Sequence, residues 1–94
     1  MQLTDNTIFI TGGTSGIGRA LAEAFHKLGN RVIISGRRKA LLEEVTAANP
    51  GMRWVELDIT DPENIRSVAA HLVREYPQLN VLVNYAGIMP FDDP

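Results

Sequence analysis

Thr7-Ile8-Phe9-Ile10-Thr11-Gly12-Gly13-Thr14-Ser15-Gly16-Ile17-Gly18 runs from an apolar, β-branched stretch through a cluster of glycines into a helical pattern. Strand, glycine turn and helix in that order leave bare backbone N–H groups, and the positive end of a helix, open to close approach by a phosphate. Gly12, Gly16 and Gly18 make a G-x-x-x-G-x-G spacing, where the common dinucleotide fingerprint is G-x-G-x-x-G. The physical demands are similar. Gly12 allows the tight turn out of the strand, Gly16 lets backbone approach a pyrophosphate, and Gly18 lets the helix pack close to the sheet. Thr14 and Ser15 add hydroxyls for phosphate or ribose. A triphosphate-cradling loop needs lysine and Ser/Thr after the last glycine; Arg19 and Ala20 stand there instead.

Outward from this turn the chain alternates. A helix is predicted over 17–28, with Ile17, Ala20, Leu21, Ala24, Phe25 and Leu28 on one face, stopped by Gly29 and Asn30. The second strand, 31–35, carries the continuous run Val32-Ile33-Ile34, which suits a parallel strand covered on both faces. The second helix covers 39–48, with Leu41, Leu42 and Val45 inward, and Asn49-Pro50-Gly51 breaks it. A third strand spans 52–57, closed by Asp58 and Ile59. Thr60 and Glu63 have capping-box spacing, and Pro62 suits a first turn. The third helix then presents Ile65, Val68, Ala69, Leu72, Val73 and Tyr76 until Pro77, and a fourth apolar strand covers 79–84.

The pattern is βαβαβαβ, an α/β chain. Parallel strands joined by right-handed crossovers follow. The expected architecture is the N-terminal half of a Rossmann-like doubly wound parallel sheet in strand order 3-2-1-4. Residues 1–94 read as one domain.

Composition removes several classes of function. The net charge of −2, with scattered basic residues, gives no nucleic acid or anionic membrane a reason to bind. There is no cysteine, so disulfides, thiolate zinc sites and cysteine nucleophiles are out. The polar N-terminus shows no signal-peptide pattern, and no apolar run reaches the ~20 residues of a bilayer span. The expectation is a cytoplasmic chain.

The end of the second strand bears on the coenzyme. An acidic residue there would hold a ribose 2′-hydroxyl and favour NAD. Ser35-Gly36-Arg37-Arg38 offers none. Arg37 has a fork of donors suited to a phosphate, with Arg38 to assist. The residues point to NADP(H); the alternative is a pair of solvated surface arginines.

TGGTSGIG after the first strand, SGRR after the second, LDIT after the third and VNYAG after the fourth resemble the N-terminal part of the short-chain dehydrogenase/reductase family. Four ordered motifs cover essentially the whole chain. The resemblance implies that Gly12, Thr14, Ser15, Gly16, Ile17 and Gly18 cradle the pyrophosphate. It implies that Arg37 holds the 2′-phosphate, with Ser35 and Arg38 nearby. Asp58 matches the aspartate that contacts adenine, with Ile59 lining that pocket. Asn84, Ala86 and Gly87 match the segment along the adenosine ribose. Tyr85 departs from the family pattern, which has a second asparagine there.

The family's catalytic serine and Tyr-x-x-x-Lys pair lie beyond the matched stretch. Tyr76 is followed at that spacing by Asn80 and Tyr85 by Met89. No catalytic residue is therefore assigned, and the resemblance implies an NADP-dependent oxidoreductase whose 94-residue stretch is inactive alone. His26 and His71 read as solvated histidines, Trp54 as packing, and no metal site is expected. The second reading is a non-catalytic module: a truncated nucleotide binder, or one that self-associates through the exposed edge of the fourth strand. A methyltransferase of related architecture is disfavoured by Gly36-Arg37, where an acidic residue is wanted.

Overall fold

The structure is a computed structural model that describes residues 5–12 and 16–84, the side chain of Asn84 excepted. The elements are β1 (Thr7–Thr11), α1 (Gly16–Lys27), β2 (Arg31–Gly36), α2 (Lys39–Ala48), β3 (Arg53–Glu56), α3 (Pro62–Glu75) and β4 (Val81–Asn84). The strands form one parallel four-stranded sheet in the order β3-β2-β1-β4. The expected α/β fold and strand order both hold.

The apolar strand runs are buried on both faces because helices cover both. Ile8, Ile10, Val32 and Ile34 pack with Ala22, Leu42, Val45 and Met52 on the side of α1 and α2. Phe9 and Ile33 point the other way, against Val68 and Leu72 of α3. Trp54 packs at the margin of the first cluster, as expected.

Two helix faces differ from the sequence reading. In α1 the line of contact is Gly18 and Ala22, while Ile17 is 63% exposed and Leu28, which the sequence reading put on the same helix, lies just past its end and is 46% exposed. Small residues one turn apart bring the helix axis close to the sheet, so the bulky flanking side chains straddle the contact. In α3 only Val68 and Leu72 are buried; Ile65 is 42% and Val73 76% exposed. A single helix against Phe9 and Ile33 buries a narrow stripe, and no described residue covers its flank.

The N-cap of α3 also moves. Asp61, not Thr60, accepts the N–H of Glu63 at 3.0 Å. Pro62 forces the residue before it into extended backbone, and Asp61 has φ −113° and ψ 104°. The proline then takes the first helical position, where a missing N–H does no harm.

The amino ends of the strands are stitched by three asparagines. Asn30 Oδ1 accepts the Asn6 N–H at 2.9 Å, Asn80 Oδ1 accepts the Thr7 N–H at 2.8 Å, and Asn80 Nδ2 donates to Asn6 Oδ1 at 2.8 Å. This clasp joins β1, β2 and β4 and fixes the register in which Thr7 faces Arg31 and Ile8 faces Val81.

Candidate functional site

In a parallel sheet, ligands bind outside the carboxyl ends of the strands, where the crossovers diverge. Those ends meet here. Thr11 faces Ser35 on one side and Asn84 on the other, and Gly36 faces Glu56. The Gly12 N–H donates to the Ser35 carbonyl at 3.0 Å, and the Leu57 N–H to the Gly36 carbonyl at 2.8 Å. Each bond carries the ladder just past a strand, so the glycine turn, the Arg37 loop and the Asp58 turn share one rim.

Gly12 holds a φ of 78° and Gly16 one of 59°. A Cβ built on Gly16 meets nothing within 4 Å. Among the described residues nothing therefore fills the Cβ position at the first residue of α1, where the first N–H groups of a helix have no intrahelical partner. Gly18 is buried where α1 meets the sheet, and Ile17 stays exposed at the helix entrance. Thr14 and Ser15 lie outside the described residues, as do Ala86 and Gly87.

Ser35 sits inside the sheet, 1% exposed, with its hydroxyl donating to the Ile10 carbonyl at 3.3 Å. That hydroxyl braces β1 against β2. Arg37 and Arg38 are exposed and take part in none of the described ion pairs. Arg38 caps α2 through its carbonyl, which accepts from Leu41 and Leu42 at 3.1 Å.

Arg37 lines a cleft of about 330 Å³ with Glu56, Leu57, Asp58, Asp61 and Asn64. Asp58 is locked in place: Oδ1 accepts both the Thr60 N–H at 2.9 Å and the Thr60 hydroxyl at 2.6 Å. These two Thr60 bonds, and after them the positive charge of Arg37, hold its carboxyl below the usual carboxylate range. Ile59 is 56% exposed beside it. The Asn64 Oδ1 accepts the Asp58 N–H at 2.6 Å. Sequence reasoning missed Asn64 and the second duty of Thr60. Their only trace is a polar residue two positions after Asp58 and another in the first turn of the helix.

A larger recess of about 600 Å³ lies between α2, β3 and α3, near Trp54, His71 and Tyr76. It touches none of the four sequence motifs, and the motif-bearing rim is the better site on chemical grounds. The histidines expected in solvent are half-buried. His26 Nδ1 is buried without a hydrogen-bond partner, because the end of α1 packs over the turn at Gly51. His71 meets Tyr76 edge-on at 6.2 Å. Among the described residues no group of three His, Asp or Glu side chains could hold a metal ion, and no helix is long and apolar enough to cross a membrane.

The family model for short chain dehydrogenases matches residues 6–93. The chain belongs to the short-chain dehydrogenase family. It is 44% identical over 88 residues to an uncharacterized oxidoreductase, DltE, of Bacillus subtilis (strain 168), covering 94% of this chain and 35% of that protein. It is 34% identical over 88 residues to an NAD-dependent glycerol dehydrogenase of Listeria innocua, covering 93% of this chain and 35% of that protein. A crystal structure of a short-chain dehydrogenase from Streptomyces avermitilis superposes with a TM-score of 0.80 at 40% identity, covering 87% of this chain and 31% of that one. The chain thus spans about a third of the length of each of these three proteins. Membership makes it part of an oxidoreductase family that binds nicotinamide dinucleotides.

Proposed function

We propose that residues 1–94 form the NADP(H)-binding part of a short-chain oxidoreductase, which in the whole enzyme moves a hydride between nicotinamide and an alcohol or carbonyl. One observation carries the choice of NADP(H). Arg37 stands exposed at the carboxyl end of β2, outside every described ion pair, and no acidic residue occupies Ser35-Gly36-Arg37-Arg38. A guanidinium there suits the 2′-phosphate and leaves a bare ribose hydroxyl without its acceptor. A relative is named for NAD, so the choice rests on this chain's own residues.

The residues present fit the coenzyme. The open amino end of α1 at Gly12, Gly16, Ile17 and Gly18, with Thr14 and Ser15, receives the pyrophosphate. Arg37 and Arg38 meet the 2′-phosphate while Ser35 braces the strand beneath them. Asp58 and Ile59 flank the adenine, and Asn84, Ala86 and Gly87 follow the adenosine ribose. The nicotinamide supplies the hydride when bound. No Tyr-x-x-x-Lys pair occurs in the sequence, so this stretch binds coenzyme without turning it over. The absence of cysteine accords with a cytoplasmic location. Self-association through the outer edge of β4, where Leu82 is 68% exposed, is a subsidiary proposal.

The test is calorimetric titration of NADPH and NADH into the chain and into Arg37→Ala. NADPH binds more tightly to the parent chain, and the variant loses most of that preference. Equal affinities in the parent, or an unchanged preference in the variant, would move the 2′-phosphate elsewhere.

A further inference from the structure

We infer that Asn64 is a positioning residue for the adenine end of the cleft, fixing Asp58 from the first turn of α3; this rests on the coenzyme reading above. The Asp58 N–H is the first backbone donor past the β2–β3 ladder, whose last bond joins Leu57 to Gly36. It needs a partner, since a backbone donor turned away from water is costly. Asn64 supplies one at 2.6 Å. Because an N–H faces it, the contacting atom is the amide oxygen, and the Asn64 side chain can sit in one orientation only.

The anchor is firm. Asn64 stands three residues after the Asp61 cap, in a turn begun by Pro62. The Asp58 carbonyl accepts the Asp61 N–H at 3.1 Å, and its carboxylate accepts twice from Thr60. Of these partners, Asn64 alone reaches back from within the helix. It ties α3 to the strand end, and so sets where the Asp58 carboxylate and the Ile59 backbone face the cleft that Arg37 closes on the other side. Helix placement and adenine pocket are thereby coupled through one amide.

AMP and 2′,5′-ADP, titrated by calorimetry into the 94-residue chain and its variants, test this. Asn64→Ala is expected to weaken both ligands by the same factor, about fivefold to tenfold, with stoichiometry unchanged. Asn64→Asp keeps an oxygen for the Asp58 N–H but sets another carboxylate beside Glu56, Asp58 and Asp61, so it should lose less AMP affinity than Asn64→Ala without matching the parent. Arg37→Ala weakens 2′,5′-ADP alone. Asn64→Ala binding AMP as the parent does overturns the inference and leaves the coenzyme site standing. So does a fall in Asn64→Asp equal to that in Asn64→Ala, or a drop in stoichiometry at constant affinity, which marks a folding defect. A parent chain that binds neither ligand overturns the coenzyme reading, and this inference with it. If Asn64→Ala does not fold, Asn64→Ser, whose oxygen is too close to the backbone to reach Asp58, carries the same expected loss.

Discussion

The amide of Gly12 donates to the carbonyl of Ser35 at 3.0 Å. One bond thus joins the glycine turn, the proposed pyrophosphate site, to the strand end that presents Arg37. The glycine turn and the arginine are parts of one rim, and a change at either is felt by a ligand spanning both.

Gly16 makes this measurable. Its φ of 59° strains any L-residue, while the space where a Cβ would stand is open. Gly16→Val should therefore fold, at a cost of about 1–2 kcal/mol, and lose NADPH binding by more than tenfold, because its side chain fills the approach to the helix. Thermal melts alongside calorimetry check this. A variant that melts lower but binds as before would place the pyrophosphate elsewhere.

The asparagine clasp predicts a stability effect far from the rim. Asn80→Ala removes the acceptor of the Thr7 N–H and the donor to Asn6 Oδ1. Leaving the Thr7 N–H without its acceptor costs about 1–3 kcal/mol. Arg74→Ala, which breaks an exposed pair with Glu75 at 3.6 Å, should change stability by less than about 0.5 kcal/mol. Urea denaturation separates the two; equal effects would remove the clasp from the account of register.

Acid stability follows from two carboxylates. Asp58 is held below its usual range by the Thr60 hydroxyl and N–H, then by Arg37. Glu23 is held low by the Asn49 amide, at 2.9 Å, and by Arg19 at 3.3 Å. A carboxyl depressed in the folded state contributes stability above its unfolded titration range, near pH ~4, and that contribution is lost as pH falls through the folded value. Stability should be flat from neutral pH to about 5 and fall below about 4. Asn49→Ala should flatten the acid limb, since it releases the largest cause at Glu23. Melting temperature against pH for both proteins is the check; an unchanged limb would remove Glu23 from it.

The sheet was legible because burial on both faces leaves a local mark: Ile8-Phe9-Ile10 and Val32-Ile33-Ile34 are continuous apolar runs. The rim was legible because each motif sits where a strand ends. Less visible were features set by distant partners. Asn6, Asn30 and Asn80 are too far apart in the chain to announce a clasp. Ile17 and Ile65 satisfy a helical stripe, yet the sheet takes Gly18 and Ala22, or Val68 and Leu72. Periodicity shows that a helix is amphipathic; it does not show how wide a stripe its neighbour covers. Thr60 and Asp61 both suit an N-cap, and the backbone imposed by Pro62 decides between them.

The central claim is that an adenosine 2′-phosphate lies at Arg37 while the pyrophosphate lies at the amino end of α1. Amide chemical-shift mapping by heteronuclear NMR tests it most directly. NADPH should shift Gly12, Gly16, Ile17, Arg37 and Ile59, and the shifts it causes beyond those of NADH should fall at Arg37 and Arg38. Shifts centred instead on Trp54, His71 and Tyr76, around the larger recess, would contradict the account.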